Sequence, residues 1–456
     1  MLILETACGK IAGIEKDDCN VFLGLPYAHA KRFEYADPVT SWKNQYTDEG
    51  FFDASHQGKA CPQMRTYHEH LEIAERNFYH KEFREGLTFD YDEDCLNLNI
   101  WTPKNAGAGD KLPVMIFIHG GGFDSGANTE SPFDGTCYAK QGIICVFINY
   151  RVSILGYFTH PSIQEKFGRN GNFGLDDQLT AIKWVRNNIN SFGGDSENIT
   201  LAGQSAGAIS IQYLCLNHKN DGLFKNVIMI SGGGKFPDFA LPRPAEQTST
   251  YWQDFMSFME NETGSKVDFE VLKSIDTKNI FDALDKFKLT RKDNTYNTMP
   301  VIDGLLIPSP IQELIKNPLK INYMIGYTNC DLYAPLMALI GHKFARANKA
   351  YVYFFDVNPK GSDKRKAFHS SDLRFIFGTL EKSWRPYDDE DKKIAGIMQD
   401  YIANFVKTGN PNTKGKLPEW KRKGKKALHF STGKIKMVKA PYLRLIYNML
   451  SGGKQI

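Results

Sequence analysis

Ser205 stands in Gly203-Gln204-Ser205-Ala206-Gly207, a G-x-S-x-G pentapeptide. The apolar stretch Ile199–Ala202 before it reads as a strand, and Ala206 reads as the first residue of a helix. A sharp turn between the two presents the serine hydroxyl as a nucleophile. That turn is cramped, so the positions two residues either side must lack a Cβ, and both are glycine. The helix N-terminus aims the N–H of Ala206 at a developing oxyanion. A second donor source is His119-Gly-Gly-Gly-Phe123, which follows directly on the apolar run Leu112–Ile118. Glycines at the end of a buried strand let the backbone turn N–H groups inward, so Gly121 and Gly122 are the further candidate donors of an oxyanion hole. His119 reads as structural. The chemistry this set serves is acyl transfer through serine, which needs a base and an acid to orient it.

Two later segments supply them. Ile321–Ile325 reads as a strand and runs into Gly326-Tyr-Thr-Asn-Cys-Asp331. Tyr351–Val357 reads as the next strand, and the loop beyond it carries Phe368-His369-Ser370-Ser371-Asp372. The chain order nucleophile, acid, histidine is then Ser205, Asp331, His369, each just beyond the carboxyl end of a strand. Of eleven histidines, His369 is favoured because it follows the last expected strand of the sheet. Asp331 is the favoured acid; Asp372, three residues from His369, competes with it.

These groups need a sheet to hold them. Gly9–Ile14, Cys19–Pro26, Leu96–Trp101, Ile144–Asn149 and Asn226–Ile230 also read as strands. Asp176–Asn188 is helical by spacing, with Leu179, Ile182, Val185 and Ile189 near one face. Alternating strands and helices imply an α/β fold with a mostly parallel central sheet covered on both faces. The 456 residues suit one large domain, 1–456, with 234–299 as an inserted cap segment. A 42% hydrophobic, 24% charged composition fits a globular protein with a sizeable core. A net charge of +4 gives no argument for nucleic acid or a membrane surface. The run from Lys421 to Lys426 reads as a solvated turn between two strands. The first residues lack a secretory signal pattern and no apolar run reaches membrane length, so a cytoplasmic location is the default expectation. Eight cysteines do not make a disulfide scaffold. Tyr67-His68-Glu69-His70 is too poor in ligands for a metal site. No metal and no organic cofactor is expected, and the expected partner is a small-molecule ester. Oligomeric state is left open.

Further motifs resemble the type-B carboxylesterase/cholinesterase family, with the bacterial para-nitrobenzyl-esterase-like branch the nearer match. They are Phe22-Leu-Gly-Leu-Pro-Tyr-Ala28, Glu93-Asp-Cys-Leu-Asn-Leu-Asn99, Asn149-Tyr-Arg151, Asn172-Phe-Gly-Leu-Asp-Asp-Gln178, Phe192-Gly-Gly-Asp195, Asp303-Gly304, Phe377-Gly378 and Thr408-Gly-Asn-Pro-Asn412, beside the two glycine motifs above. The resemblance spans nearly the whole chain. It implies an α/β-hydrolase fold and a serine esterase with the catalytic triad Ser205, His369 and Asp331. It also places Ser210 behind the nucleophile and maps the family's first disulfide onto Cys61 and Cys95, which a reducing cytoplasm would leave as thiols.

This chain departs from the family in several places. Gln204 stands where many members have glutamate, and the acid is aspartate rather than the commoner glutamate. Asp331 and His369 are unusually close in sequence, which is expected to leave the site open. No tryptophan lies between Cys61 and Asp94, where cholinesterases carry the one that holds choline; Tyr67, Phe78 and Tyr79 are the nearest candidates. The implied activity is hydrolysis of neutral carboxylic esters through an acyl-enzyme. The alternatives are a lipase-like esterase, whose lid 234–299 could supply, and a non-catalytic binding protein on the same fold.

Overall fold

The computed structural model describes residues 2–43, 46–47, 50–63, 74–234, 241–291, 297–331, 334–335, 337–339, 341, 343, 350–413, 417–422, 426–442 and 445–446. The Tyr67–His70 cluster lies outside them. The strands are β1 (Leu2–Thr6), β2 (Gly9–Glu15), β3 (Cys19–Pro26), β4 (Ala28–His29), β5 (Asp37–Pro38), β6 (Phe52–Asp53), β7 (Asn97–Pro103), β8 (Leu112–Ile118), β9 (Ile144–Ile148), β10 (Gly194–Gln204), β11 (Asn226–Ile230), β12 (Asn322–Thr328), β13 (Tyr351–Phe355), β14 (Lys426–Ser431) and β15 (Lys434–Lys439). Among the described residues thirteen of them form one sheet, in the order β1-β2-β3-β7-β9-β8-β10-β11-β12-β13-β14-β15, with β6 beside β2. From β9 to β14 every neighbouring pair is parallel. The β1–β9 flank and the β14–β15 edge are antiparallel.

Alternation along the central strands explains why both faces are covered. Val114, Ile116 and Ile118 of β8 enter one apolar cluster, and Met115 and Phe117 enter another. On β11, Val227 and Met229 take the first side, and Ile228 and Ile230 the second. A strand sends successive side chains to opposite faces, so a run apolar at every position needs a layer on each. The first layer includes the helices Phe173–Asn188, through Leu179, Ile182 and Val185, and Ala206–Leu216, through Ile211 and Leu214. The second is built largely on the helix Asp389–Thr408, through Ile394, Met398, Tyr401, Ile402 and Phe405. Fully burying a side chain such as Ile116 contributes about 1.5–3 kcal/mol.

The structure corrects the sequence reading in three places. The strand ahead of Ser205 begins at Gly194, because Gly194 pairs with Leu112 before a bulge interrupts the ladder. Tyr351–Phe355 is not the last strand: β14 pairs with it in parallel, and β15 closes the edge. Lys421 and Arg422 lead from the Asp389–Thr408 helix region into β14, and Lys426 already belongs to that strand. The run is therefore not a turn between two strands, and its residues 423–425 lie outside the described ones. The helix Asp389–Thr408 had no counterpart in the sequence reading. Its markers are a reciprocal cap, Asp388 with Asp391, and left-handed Gly409 at its end.

Within 234–299 the structure places the helices Ala245–Thr263, Phe269–Ser274 and Thr277–Thr290. Trp252, Phe255, Leu272, Phe281 and Leu284 bury them in the first apolar cluster. Among the described residues no helix is long and apolar enough to cross a membrane.

Candidate active site

β10 ends at Gln204, and Ser205 takes φ 53°, ψ −119° before the helix Ala206–Leu216 begins. A non-glycine residue there is strained and persists only where its surroundings hold it. They do: Ser205 N–H donates to the Ile230 carbonyl at 2.9 Å, and Ile209 N–H to the Ser205 carbonyl at 2.9 Å. The glycines follow from crowding. A Cβ at Gly203 would lie 2.7 Å from the Gly207 carbonyl carbon, and one at Gly207 would lie 2.1 Å from the Ile118 oxygen. The elbow thus sits so close to the end of β8 that the glycine loop at residues 119–122 is delivered beside it.

In that loop Gly121 and Gly122 both have positive φ. Among the described residues no protein acceptor takes the N–H of Gly121, Gly122 or Ala206. His119 faces away from chemistry. It is buried, stacks on Tyr150 at 4.4 Å, and pairs its Nδ1 with the Gly120 carbonyl at 2.8 Å. Burial lowers its pKa to about 4, which keeps it neutral.

Asp331 lies three residues beyond β12, and His369 lies in the loop after β13. Their two segments touch through Cys330, whose N–H donates to the Ala367 carbonyl at 2.8 Å. His369 Nδ1 then meets Asp331 Oδ2 at 2.7 Å. The Asp331 side chain is fully enclosed, while the imidazole keeps 21% exposure. With the Nδ1 proton donated to Asp331, Nε2 carries the lone pair. Asp372, the competing acid, is elsewhere engaged: Tyr353 Oη donates to its Oδ2 at 2.8 Å, and burial raises its pKa to about 6.

Gln204 is 4% exposed, and its amide nitrogen reaches His369 Nε2 at 3.1 Å and Ser370 Oγ at 2.5 Å. Since Nε2 is the acceptor, Gln204 donates. Ser370 itself has φ 75°. Ser210 is fully buried on the elbow helix, and its Oγ has no hydrogen-bond partner among the described residues. Cys61 and Cys95 are buried free thiols. A hydrogen bond with Cys61, then burial, raises the Cys95 pKa well above the ordinary thiol value.

Ser205, His369, Gly120, Gly121, Gly122, Gln204 and Ser370 share one cavity of about 240 Å³. Its remaining walls are Tyr79, Phe83, Glu130, Phe133 and Leu373. Of these, the sequence pointed only to Tyr79; Phe83 lies one turn further along the helix Ala74–Phe83, Glu130 and Phe133 share one turn, and Leu373 opens the helix Leu373–Phe377. None of the lining residues belongs to 234–299 among the described residues. A larger groove, about 580 Å³, lies at the amino ends of β11 and β12 around Asn226 and Asn322. It gathers no nucleophile and base. Among the described residues no three His, Cys, Asp or Glu side chains are grouped to hold a metal ion.

The supporting motif residues do structural tasks. Arg151 pairs with Asp177 through two nitrogens, at 2.7 and 2.8 Å, with both side chains buried. Tyr150 Oη donates to the His119 carbonyl at 2.9 Å and steadies the glycine loop.

The carboxylesterase family profile matches residues 1–338 and 332–442. A para-nitrobenzyl esterase of Bacillus subtilis (strain 168) is 29% identical, over 90% of this chain and 91% of its own. Carboxylesterase 5A of Canis lupus familiaris is also 29% identical, over 88% of this chain and 79% of its own. Among solved structures, a thermophilic PNB esterase superposes with a TM-score of 0.78 at 25% identity, covering 97% of this chain and 99% of that one. That fold is the α/β-hydrolase fold. The chain belongs to the carboxylesterase family and is a carboxylic ester hydrolase.

Proposed function

We propose that Ser205, His369 and Asp331 act as a catalytic triad and that the N–H groups of Gly121, Gly122 and Ala206 form the oxyanion hole. The observation that carries this reading is the 2.7 Å contact of His369 Nδ1 with Asp331 Oδ2, in a cavity that also holds Ser205 and the glycine loop. His369 Nε2 gives up the Gln204 N–H and takes the Ser205 proton as Oγ attacks the ester carbonyl. The three N–H groups stabilise the tetrahedral oxyanion. His369 then protonates the departing alcohol. Water, activated by the same nitrogen, releases the acid and restores Ser205.

The substrates are neutral esters with short or medium acyl chains. The cavity of about 240 Å³ is small, and each methylene left in water forgoes about 0.8 kcal/mol. No tryptophan lies between residues 61 and 94 to hold a choline head. The chain acts as one domain, with 234–299 inserted as a cap, in the cytoplasm, where Cys61 and Cys95 stay reduced.

The test is kcat/KM across p-nitrophenyl acetate, butyrate, octanoate and palmitate, with a choline ester beside its neutral isostere. The expected maximum falls at acetate to octanoate. A maximum at palmitate, or a tenfold advantage for choline, overturns the substrate assignment.

A further inference from the structure

Glu130 lines the catalytic cavity and is 8% exposed. Its Oε1 accepts from Arg84 Nε at 2.9 Å, with Arg84 Nη2 also 2.9 Å away. Arg84 is itself buried, and its other donors go to Tyr91 Oη at 3.1 Å and Gln63 Oε1 at 3.2 Å. The guanidinium is therefore held by three partners, Glu130, Tyr91 and Gln63. Among the described residues Oε2 of Glu130 takes no hydrogen bond, and it is not one of the sealed, unpartnered polar atoms. Glu130 lines the cavity, and Oε2 is the oxygen that Arg84 leaves over for it. Tyr79, Phe83, Phe133, Leu373 and Ser205 line the same cavity.

A charged oxygen facing an apolar cavity is a strong acceptor without a donor.

We propose that Glu130 determines specificity: its Oε2 accepts a hydrogen bond from a neutral hydroxyl on the substrate, so the enzyme favours hydroxyl-bearing aromatic esters over their deoxy counterparts. The aromatic part follows from the Tyr79, Phe83 and Phe133 wall, which suits a ring. The neutral hydroxyl follows from charge. Arg84 already balances the carboxylate, so a substrate ammonium gains little net attraction, whereas the short-range hydrogen bond survives. This inference rests on Ser205 as the nucleophile of the same cavity.

The experiment compares kcat/KM for methyl phenylacetate with its 3- and 4-hydroxy derivatives, and for 2-phenylethyl acetate with its ring-hydroxylated derivatives. In these esters saturated carbon insulates the carbonyl from the ring substituent. The wild-type enzyme is expected to favour at least one hydroxylated ester by about tenfold or more. Glu130→Gln keeps an oxygen for Arg84 and turns an NH2 donor toward the cavity. The hydroxy-to-deoxy ratio should then fall to about one or below, reversing an acceptor into a donor. The ratio is internal to each variant, so a general loss of turnover cancels. A wild-type ratio near one for every isomer overturns the proposal, and that measurement needs no variant to fold. A ratio that survives in Glu130→Gln overturns it too. A wild-type enzyme that turns over none of these esters, nor p-nitrophenyl acetate, shows instead that the esterase reading has failed, and this proposal falls with it.

Discussion

The elbow of the proposed nucleophile and the arm of the proposed acid and histidine are built in different ways. The elbow is one contiguous stretch between β10 and its helix, with parallel neighbours on both sides, β8 and β11. Backbone presses on backbone there, and only glycine fits at 203 and 207. The arm joins two loops 38 residues apart. It depends on a short backbone bridge at Cys330 and Phe368 and on one charged hydrogen bond. The elbow fixes its serine by local crowding; the arm fixes its imidazole by partners. The elbow should therefore fail by loss of chemistry, and the arm by graded loss of orientation.

Ser205→Ala tests the elbow most directly. It is expected to abolish covalent labelling by a fluorophosphonate and to lower kcat by about 10⁴-fold or more, with the melting temperature retained. Undiminished turnover by the alanine variant would remove Ser205 from the mechanism.

The arm is tested by two aspartates. Asp331→Asn should lower kcat by roughly 10²–10⁴-fold, because an amide can hold His369 in the wrong tautomer. Asp372→Asn should lower it far less, since Asp372 answers to Tyr353. Steady-state kinetics of both variants decides, and the opposite ranking would move the acid to Asp372.

Asp372 also links stability to pH. Its pKa of about 6 in the fold lies above the ordinary carboxyl value of about 3.9. Between those values the native state holds a proton that the unfolded chain has released. Stability should therefore fall as pH rises from about 4 to about 6, then level off. Asp372→Asn should flatten that slope and raise stability at pH 7 by on the order of 2 kcal/mol. Denaturant melts of both proteins at pH 4.5 and 7 check it; equal slopes would show that Asp372 does not titrate in this window.

The smallest effect is expected where elbow and arm meet. Gln204→Glu places a carboxylate beside His369 Nε2 in place of a donor. It should stabilise the imidazolium and shift the acid limb of the kcat/KM profile up by about one pH unit. An unmoved limb would show that Gln204 holds Ser370 alone.

The sequence was most informative where chemistry and backbone geometry coincide. G-x-S-x-G and the glycine loop were legible because cramped backbones admit few residue types, so the demand is written in contiguous letters. The central strands were legible because burial on both faces leaves unbroken apolar runs; β8 and β11 have the bounds read from sequence. Residues and resemblance together singled out Asp331 and His369.

Other features were decided only in three dimensions. Strand ends at Gly194 and Thr328 depend on a neighbour to pair with. β14 and β15 extend the sheet past the point where sequence order placed its last strand. The Asp372 carboxyl is diverted by Tyr353, a residue of a strand rather than of its own loop. The cavity wall of Tyr79, Phe83, Glu130, Phe133 and Leu373 has no sequence signature, because its side chains come from three segments far apart in the chain: the helix Ala74–Phe83, the turn at 130–133 and the helix Leu373–Phe377. Identity and spacing along the chain fix which backbone a segment can adopt. Which side chains then face one another across a cavity is settled by packing between distant segments, and no local pattern records it.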